Sequence, residues 1–462
     1  MKKSSDDSTI AALCTAPGGA LNIVRISGPD ALSIGRRVWK GKQELGRSNA
    51  RKMLLGKVCR KPDDPASGEP CLAVFMPGPG SYTGEDTVEL HCHGGSFAPK
   101  RLLRSLWDEG AHPAGPGEFT RRAFLNGKMD LTQAEAVADL IAARTESSAR
   151  LAEKQLSGRI GKNIRAIREN LMHLLAEFES RLDFPEEDLD WKTPEQCRSE
   201  LEENSAFIRK MILTAQNGTI LREGVRVVIA GQPNAGKSSL LNALLGFDRA
   251  IVTEVPGTTR DTLEESVSFR NIPVCLTDTA GLRESAADPA EKIGIRRSLQ
   301  SLQQASCIFW VLDASSPENA EKSARYLLEN LPRKNLLIAL WNKIDLSASP
   351  EILPDLPGIP AVRISALKGT GLEKLLDCFE QMVWNRTPEA ESADCEVSAR
   401  HEELLKKALA VLERAMEETG RESWELAAFS LRDALFSLGM ITGETVAPDI
   451  LDEIFSRFCI GK

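Results

Sequence analysis

Gly231, Gly236, Lys237 and Ser238 stand in the pattern Gly-x-x-x-x-Gly-Lys-Ser, within Gly231-Gln232-Pro233-Asn234-Ala235-Gly236-Lys237-Ser238. This spacing suits phosphate binding. The glycines let the chain curl so that successive backbone N–H groups face one anion. Lys237 then reaches the outer phosphates, and Ser238 is set to ligate magnesium. The apolar run VRVVIA precedes the turn and SSLLNALL follows it. A strand that turns directly into a helix aims the helix N-terminus, with its partial positive charge, at the phosphates. Three more clusters follow in order. Asp278-Thr279-Ala280-Gly281 closes PVCLTD, so Asp278 can hold magnesium through water and Gly281 can bond the outermost phosphate. Asn342-Lys343-Ile344-Asp345 closes NLLIALW. A carboxylate there accepts from both the ring N–H and the exocyclic amine of guanine, a donor pair that adenine lacks. Ser365-Ala366 closes AVRI and matches a last base-contacting loop. Asp345 alone would read as a helix N-cap. Four ordered clusters make GTP the expected ligand.

The elements that must hold these groups alternate between strand and helix. From 223 to 385 the short apolar runs Val225–Ala230, Val274–Thr277, Cys307–Leu312, Leu336–Trp341 and Ala361–Ile364 are each followed by turn residues and a helical pattern. That is the signature of a mostly parallel α/β sheet. Residues 1–125 are different, with strand-like runs, Gly- and Pro-rich turns and short helices, which reads as α+β. Residues 126–222 and 386–462 are helical. Leu151, Leu156, Ile160, Ile164, Ile167, Leu171, Leu174, Leu175, Phe178 and Leu182 step mostly by three and four, which predicts one long amphipathic helix stopped at Pro185. The expected fold class is multi-domain α/β: an N-terminal α+β domain, an all-α domain in two parts, and a P-loop GTPase α/β domain inserted between those parts.

Composition narrows the function classes. The 462 residues, 42% hydrophobic and 27% charged, describe a globular chain with room for about three domains. The formal charge of −8 and the pI near 5.5 argue against gripping nucleic acid by bulk positive charge. Ten cysteines without a Cys-x-x-Cys pair argue against a disulfide framework or a zinc ribbon. No signal peptide and no membrane span is read, and a cytoplasmic location with reduced thiols is expected. One helix row, with Arg144, Arg150, Lys154, Arg159, Lys162, Arg165 and Arg168 against Glu146, Glu153 and Glu169, carries a local positive excess. It reads as an ordinary solvated face ahead of an RNA- or partner-binding one.

The 223–385 segment resembles the translation-factor class of regulatory GTPases. Many of these carry a glutamine after Asp-Thr-Ala-Gly to orient water, and here the residue is Leu282. Asn234 is the residue type seen in relatives activated by potassium. The resemblance implies that the switch segment is Val255-Pro256-Gly257-Thr258-Thr259-Arg260-Asp261, that Thr259 is a second magnesium ligand beside Ser238, and that Thr253, Val255 and Thr258 complete a potassium site with Asn234. The nucleotide contacts it implies run over Asn234, Ala235, Gly236, Lys237, Ser238 and Ser239. They continue over Thr253, Glu254, Val255, Pro256, Gly257, Thr258 and Thr259, and over Asp278, Thr279, Ala280 and Gly281. Asn342, Lys343, Asp345, Ser365, Ala366 and Leu367 complete the set.

The two ends are more specific. The chain closes on Cys459-Ile460-Gly461-Lys462, which fits a prenylation box poorly. With Val24-Arg25-Ile26-Ser27-Gly28, Tyr82-Thr83-Gly84-Glu85-Asp86, His93-Gly94-Gly95, the stretch GPGEFTRRAFLNGKMD and LDFPEE, the whole chain resembles the MnmE (TrmE) family of tRNA-modification GTPases. The resemblance implies a constitutive homodimer and a flavoprotein partner, MnmG, in a heterotetramer. The implied chemistry adds a carboxymethylaminomethyl-type group to the wobble uridine of certain tRNAs. A 5-formyl- or methylene-type tetrahydrofolate derivative is the implied one-carbon donor, contacted by Arg25, Glu85, Lys128 and Lys462. Among the implied catalytic groups are Lys237, Cys459 as a nucleophile or a structural thiol, and Glu291, upstream of Ile293-Gly294-Ile295, to orient water; Glu284 is its rival. The loop before Arg25, Pro17-Gly18-Gly19-Ala20-Leu21-Asn22, is shorter than the family's usual one. Two other readings stay open: a GTP-dependent ribosome-assembly switch, and a folate-binding scaffold without chemistry of its own.

Overall fold

A computed structural model describes residues 8–58, 68–143, 145–184, 190–247, 264–278, 305–316, 336–346, 358–384 and 397–462. The chain divides into two compact units. One comprises Met1–Ile141, Lys154–Ser205 and Leu404–Lys462, and the other Ala142–Glu153 and Ala206–Glu403.

The first unit begins with a seven-stranded sheet. Its strands are β1 (Ile10–Leu13), β2 (Leu21–Ser27), β3 (Trp39–Gly41), β4 (Leu54–Val58), β5 (Glu69–Met76), β6 (Thr87–His93) and β7 (His112–Pro113), in the order β3-β4-β5-β6-β2-β1-β7. Alternation along each strand sorts its side chains. On β2, Asn22, Val24 and Ile26 are buried, while Ile23 and Arg25 between them are partly exposed. Val24, Ile26, Val88, Leu90, Ala73 and Phe75 form the core with α1 (Ala31–Val38) and α2 (Ala98–Asp108), through Ile34, Val38, Leu102 and Leu106. Each large aliphatic buried this way contributes about 1.5–3 kcal/mol. Arg25 is left on the opposite face, directly across from Glu89 of β6 in the antiparallel register.

Helices α3 (Glu118–Leu125), α4 (Leu131–Ala142), α5 (Glu146–Leu156), α6 (Arg159–Asp183) and α7 (Pro194–Glu223) follow. The expected continuous helix through the 151–182 stripe is corrected here: it is two helices. Gly158 sits between them at φ +79° and caps α6 by accepting from Lys162 N–H. Helix α4 pins the break, because Gln133 donates to Leu156 O and Gln155 donates to Thr132 O. The five-residue step from Leu151 to Leu156 lies just before this break. Pro185, the expected stop, lies outside the described residues; α6 ends at Asp183.

Three members of the basic row are paired within the chain. Arg150 pairs with Glu146 at 2.5 Å, Arg165 with Asp130 at 3.1 Å, and Arg168 with Glu444. Arg144 lies outside the described residues. Helices α10 (Ala399–Gly420), α11 (Trp424–Thr442) and α12 (Pro448–Ser456) belong to the C-terminal part. Helix α11 packs on α6, with the Phe178 and Trp424 rings 5.2 Å apart and the Arg181 guanidinium 4.1 Å from the Trp424 ring centre. Helix α12 joins α4 through Leu131, Ala134, Leu451, Phe455 and Phe458.

The second unit holds a six-stranded sheet of β8 (Val225–Gly231), β9 (Glu264–Phe269), β10 (Ile272–Asp278), β11 (Cys307–Asp313), β12 (Leu336–Asn342) and β13 (Ala361–Arg363). The order is β13-β12-β11-β8-β10-β9, and only β9 runs antiparallel. Helix α8 (Lys237–Phe247) and helix α9 (Leu372–Trp384) cover one face, with Leu240, Leu244, Leu375 and Phe379 against Val227, Ile229 and Phe309. Burial of both sheet faces explains why these strands read as unbroken apolar runs. In such sheets the ligand crevice lies beyond the carboxyl ends of the strands. The turns after β8, β11 and β12 are all at that edge.

Candidate functional site

The turn from β8 into α8 has the backbone that its glycines require. Gly231 has φ +154° and Gly236 φ +95°, and Asn234 between them also adopts a positive φ, +63°. Contact makes both glycines obligatory. A Cβ at Gly231 would overlap the Val311 carbonyl of β11, and one at Gly236 would overlap Asn342 Nδ2. The loop is therefore pressed against the sheet on one side and the guanine loop on the other. Helix α8 starts at Lys237, so its N-terminal dipole faces the concavity. Lys237 is buried, and its Nζ donates to Gly231 O at 3.1 Å and Gln232 O at 2.9 Å. Ser238, Ser239 and Asn234 are exposed at the rim.

The base-recognition loops are tied to this turn. Asn342, 2% exposed, donates through Nδ2 to Ala235 O at 2.9 Å and accepts at Oδ1 from Ala366 N–H at 2.9 Å. One side chain thus clamps three of the four clusters. Ser365 Oγ donates to Asp345 Oδ1 at 2.7 Å, which holds the carboxyl below the usual carboxylate range. The ionised carboxylate is thereby favoured. Leu367 is exposed beside it. A cavity of about 140 Å³ borders the phosphate loop, lined by Gln232, Pro233, Ala235, Val311, Leu312, Asp313 and Ser316.

Asp278 ends β10 beside Ile229 of β8, while its side chain is outside what is described. Thr253, Glu254, Val255, Pro256, Gly257, Thr258, Thr259, Thr279, Ala280, Gly281, Leu282, Glu284 and Glu291 all lie outside the described residues.

A second cluster stands on the exposed face of the N-terminal sheet. Arg25 is bound by Glu89 at 2.8 Å, and the Tyr82 and Phe119 ring centres lie 5.4 and 5.5 Å from its guanidinium carbon. The His91 imidazole, and then Arg25, hold the Glu89 carboxyl below the usual range despite its burial. Glu85 is a second anchored carboxylate. It accepts from Ser27 Oγ at 2.7 Å and from the buried Arg122 at 3.2 Å, and Arg122 also binds Glu118 at 2.9 Å. Lys128 is exposed, with Nζ 2.8 Å from Pro79 O, a neutral acceptor.

The C-terminal residues close this cluster. Pro116 and Ile460 form an antiparallel bridge, Gly117 N–H donates to Cys459 O, and Phe119 N–H donates to Lys462 O at 3.1 Å. Gly461 has φ +96°, and a Cβ there would overlap the carbonyl oxygen of Leu13. Lys462 comes close enough for its charge, like that of Arg25, to oppose the upward push that burial gives the Cys14 thiol. Cys459 itself is exposed. The sequence reading missed Glu89, Cys14 and Arg122. Alternation on β2 and β6 would have put Glu89 on the Arg25 face, and the i,i+4 spacing of Glu118 and Arg122 marks a helix pair.

A phosphate loop between strand and helix, clamped by Asn342 to a guanine loop whose carboxylate is set by Ser365, defines a guanine-nucleotide-binding protein of the P-loop GTPase class. Two family descriptions match the chain: the GTP-binding protein TrmE N-terminus over residues 9–128, and the MnmE helical domain over residues 131–459. The chain belongs to the MnmE family. The tRNA modification GTPase MnmE of Natranaerobius thermophilus is 41% identical over 99% of this chain and 100% of its own length. That of Aquifex aeolicus is 44% identical over 98% of this chain and 99% of its own. Among solved structures, the G domain of the T. maritima FeoB iron transporter matches 34% of this chain and 97% of its own, at 30% identity and a TM-score of 0.26. Among the described residues, no helix is long and apolar enough to cross a membrane.

Proposed function

We propose that this chain hydrolyses GTP to drive modification of the wobble uridine of certain tRNAs, adding a carboxymethylaminomethyl-type group. It works in the cytoplasm as a homodimer, with the flavoprotein MnmG completing a heterotetramer. Family membership and the guanine site support the GTPase half of this reading. The observation that carries the modification half is the docking of Cys459-Ile460-Gly461-Lys462 onto the 116–119 turn and the end of β1, near Arg25.

In this reading Lys237 and the N-terminus of α8 bind the β and γ phosphates, and Asp345 and Asn342 select guanine. Ser238, Thr259 and Asp278 hold magnesium. Asn234, exposed at the rim of the loop, suits a monovalent cation through its side-chain oxygen, together with Thr253, Val255 and Thr258. Glu291 orients the attacking water, a task Leu282 cannot perform. The N-terminal cluster fits a tetrahydrofolate derivative. Lys128 and Lys462 suit its anionic glutamate tail, and Arg25 between two aromatic rings offers a flat donor surface. When bound, that group supplies the one-carbon unit. Glu85 offers its carboxylate to the N–H-rich pterin edge while bonded to Arg122, and Glu89 aims Arg25.

Nucleoside analysis of tRNA from a strain lacking this chain tests the reading. Loss of the wobble modification is expected, restored by the intact gene; unchanged wobble uridines would contradict it. The potassium site has its own test: GTP hydrolysis should run much faster in potassium than in sodium, because one charge-stabilising contact is worth about 10²–10³-fold. Equal rates would remove Asn234 from the account.

A further inference from the structure

One contact at the guanine site lies outside all four nucleotide motifs. Asp313 is the last residue of β11, and the parallel register sets it against Asn342 at the end of β12. Its Oδ2 receives Lys343 Nζ at 2.7 Å. Its Oδ1 accepts from Ser315 N–H at 2.9 Å and from Ser315 Oγ at 2.6 Å. Ala314 N–H donates to Asn342 O at 2.8 Å, so the two strand ends are also joined through the backbone. We propose that Asp313 is a positioning residue for guanine-nucleotide binding: its carboxylate fixes Lys343 and, through it, the loop that carries Asp345.

The guanine loop has three side chains available to anchor it. Asn342 ties it to the phosphate loop, and Asp345 is held from Ser365. Lys343 is the third, and it starts from a backbone at φ +65°, a conformation a non-glycine residue keeps only when its surroundings impose it. A free lysine samples many rotamers, and ordering it on binding weakens affinity. Here the ammonium is already held by a carboxylate that two donors of Ser315 have fixed in turn. Both partners are about three-quarters buried, with side-chain exposures of 29% and 25%, so solvent screens the pair less than a surface pair. Burial raises the Asp313 carboxyl, but the bonds from Lys343 and Ser315 outweigh it and hold the group ionised. The loop is thus set before nucleotide arrives, and the gain appears as slower release.

A double-mutant cycle on the full chain tests this, with dissociation of a fluorescent GDP analogue as the readout. Asp313→Asn keeps the shape and the Ser315 bonds while removing the charge. It should speed release about three- to tenfold, the range for coupled neighbours. In a Lys343→Gln background the same change should add nothing, because Asp313 acts only through that lysine. Unchanged release for D313N in the wild-type background would overturn the proposal. So would an equal acceleration in both backgrounds, which is the signature of a general effect on the end of β11. If D313N does not fold, Asp313→Glu runs the same cycle with the charge displaced by one methylene. Acceleration confined to the Lys343 background supports the proposal, and acceleration in both or in neither contradicts it.

Discussion

The guanine site and the N-terminal cluster are built in opposite ways. At the guanine site, each group follows the strand that positions it by a few residues. Gly231 ends β8, Asn342 ends β12, and Ser365 comes two residues after β13. A parallel sheet delivers these ends to one edge, so chain order and spatial order agree. The N-terminal cluster draws on Cys14 and Arg25, on Tyr82 to Glu89, on Phe119 to Lys128, and on the last residues of the chain. No local rule joins those segments. Antiparallel pairing, helix α3 and a glycine at 461 do so instead. The first kind of site carries its ligand groups within its own motifs, with Asp313 the outside support proposed for it. The second depends on supports that touch no ligand.

The predictions press on that contrast, beginning with the largest effect. Lys237→Ala removes the buried cation of the phosphate loop and should lower kcat for GTP hydrolysis by about 10²–10³-fold, as measured by phosphate release. The N-terminal cluster should not register the change, and its thermal unfolding should match that of the intact chain. Asp345→Asn replaces an acceptor by a donor. Selectivity for guanine over xanthine nucleotides should fall by about 1–3 kcal/mol, read from competition binding. Ser365 holds the native carboxyl low, so guanine affinity should stay level as pH falls from 8 towards the ordinary carboxylate range. An affinity that decays well above that range would show that the carboxylate is not so held.

Gly461→Ala attacks the second site through a support. The residue has both a positive φ and no room for a Cβ. Release of the chain end should cost about 1–3 kcal/mol of stability in the first unit. Modified uridine should drop while GTP hydrolysis stays within about twofold. A parallel loss of both activities would erase the distinction between the sites.

Glu89→Gln is the mildest change. Glu89 is depressed in the folded state, so its contribution is present above the unfolded carboxylate value and is lost as pH falls through the folded one. The variant should unfold at a temperature lower than the native chain at pH 7 and converge with it in acid. Both side chains are less than a fifth exposed, so solvent screens the pair little, and the gap at pH 7 should be about 1–3 kcal/mol.

How far each site could be read beforehand follows from the same difference. The phosphate loop, the guanine carboxylate and the alternation of strand and helix between 223 and 385 were legible because the chemistry fixes spacing within a few residues. Asp313 was overlooked although it carries the mark that drew attention to Asp278, an acid closing an apolar run. Arg25 was found through resemblance, but its partner Glu89 lies 64 residues away and needs the β2–β6 register to appear. Glu85 is expected as a ligand contact through resemblance, and only the fold shows that its oxygens also accept from Ser27 and Arg122. The helix break at Gly158 was hidden because the apolar stripe runs on past it. Only the bonds from Gln133 and Gln155 reveal that α4 holds the break.

The central claim is that GTP hydrolysis at the first site drives modification of tRNA. The most direct measurement is mass spectrometry of wobble uridine in tRNA from a strain whose only copy of this chain carries Lys237→Ala. With the variant accumulating to normal levels, the modified nucleoside should be lost. Wild-type modification by a chain whose GTP hydrolysis has fallen by about 10²–10³-fold would contradict the account.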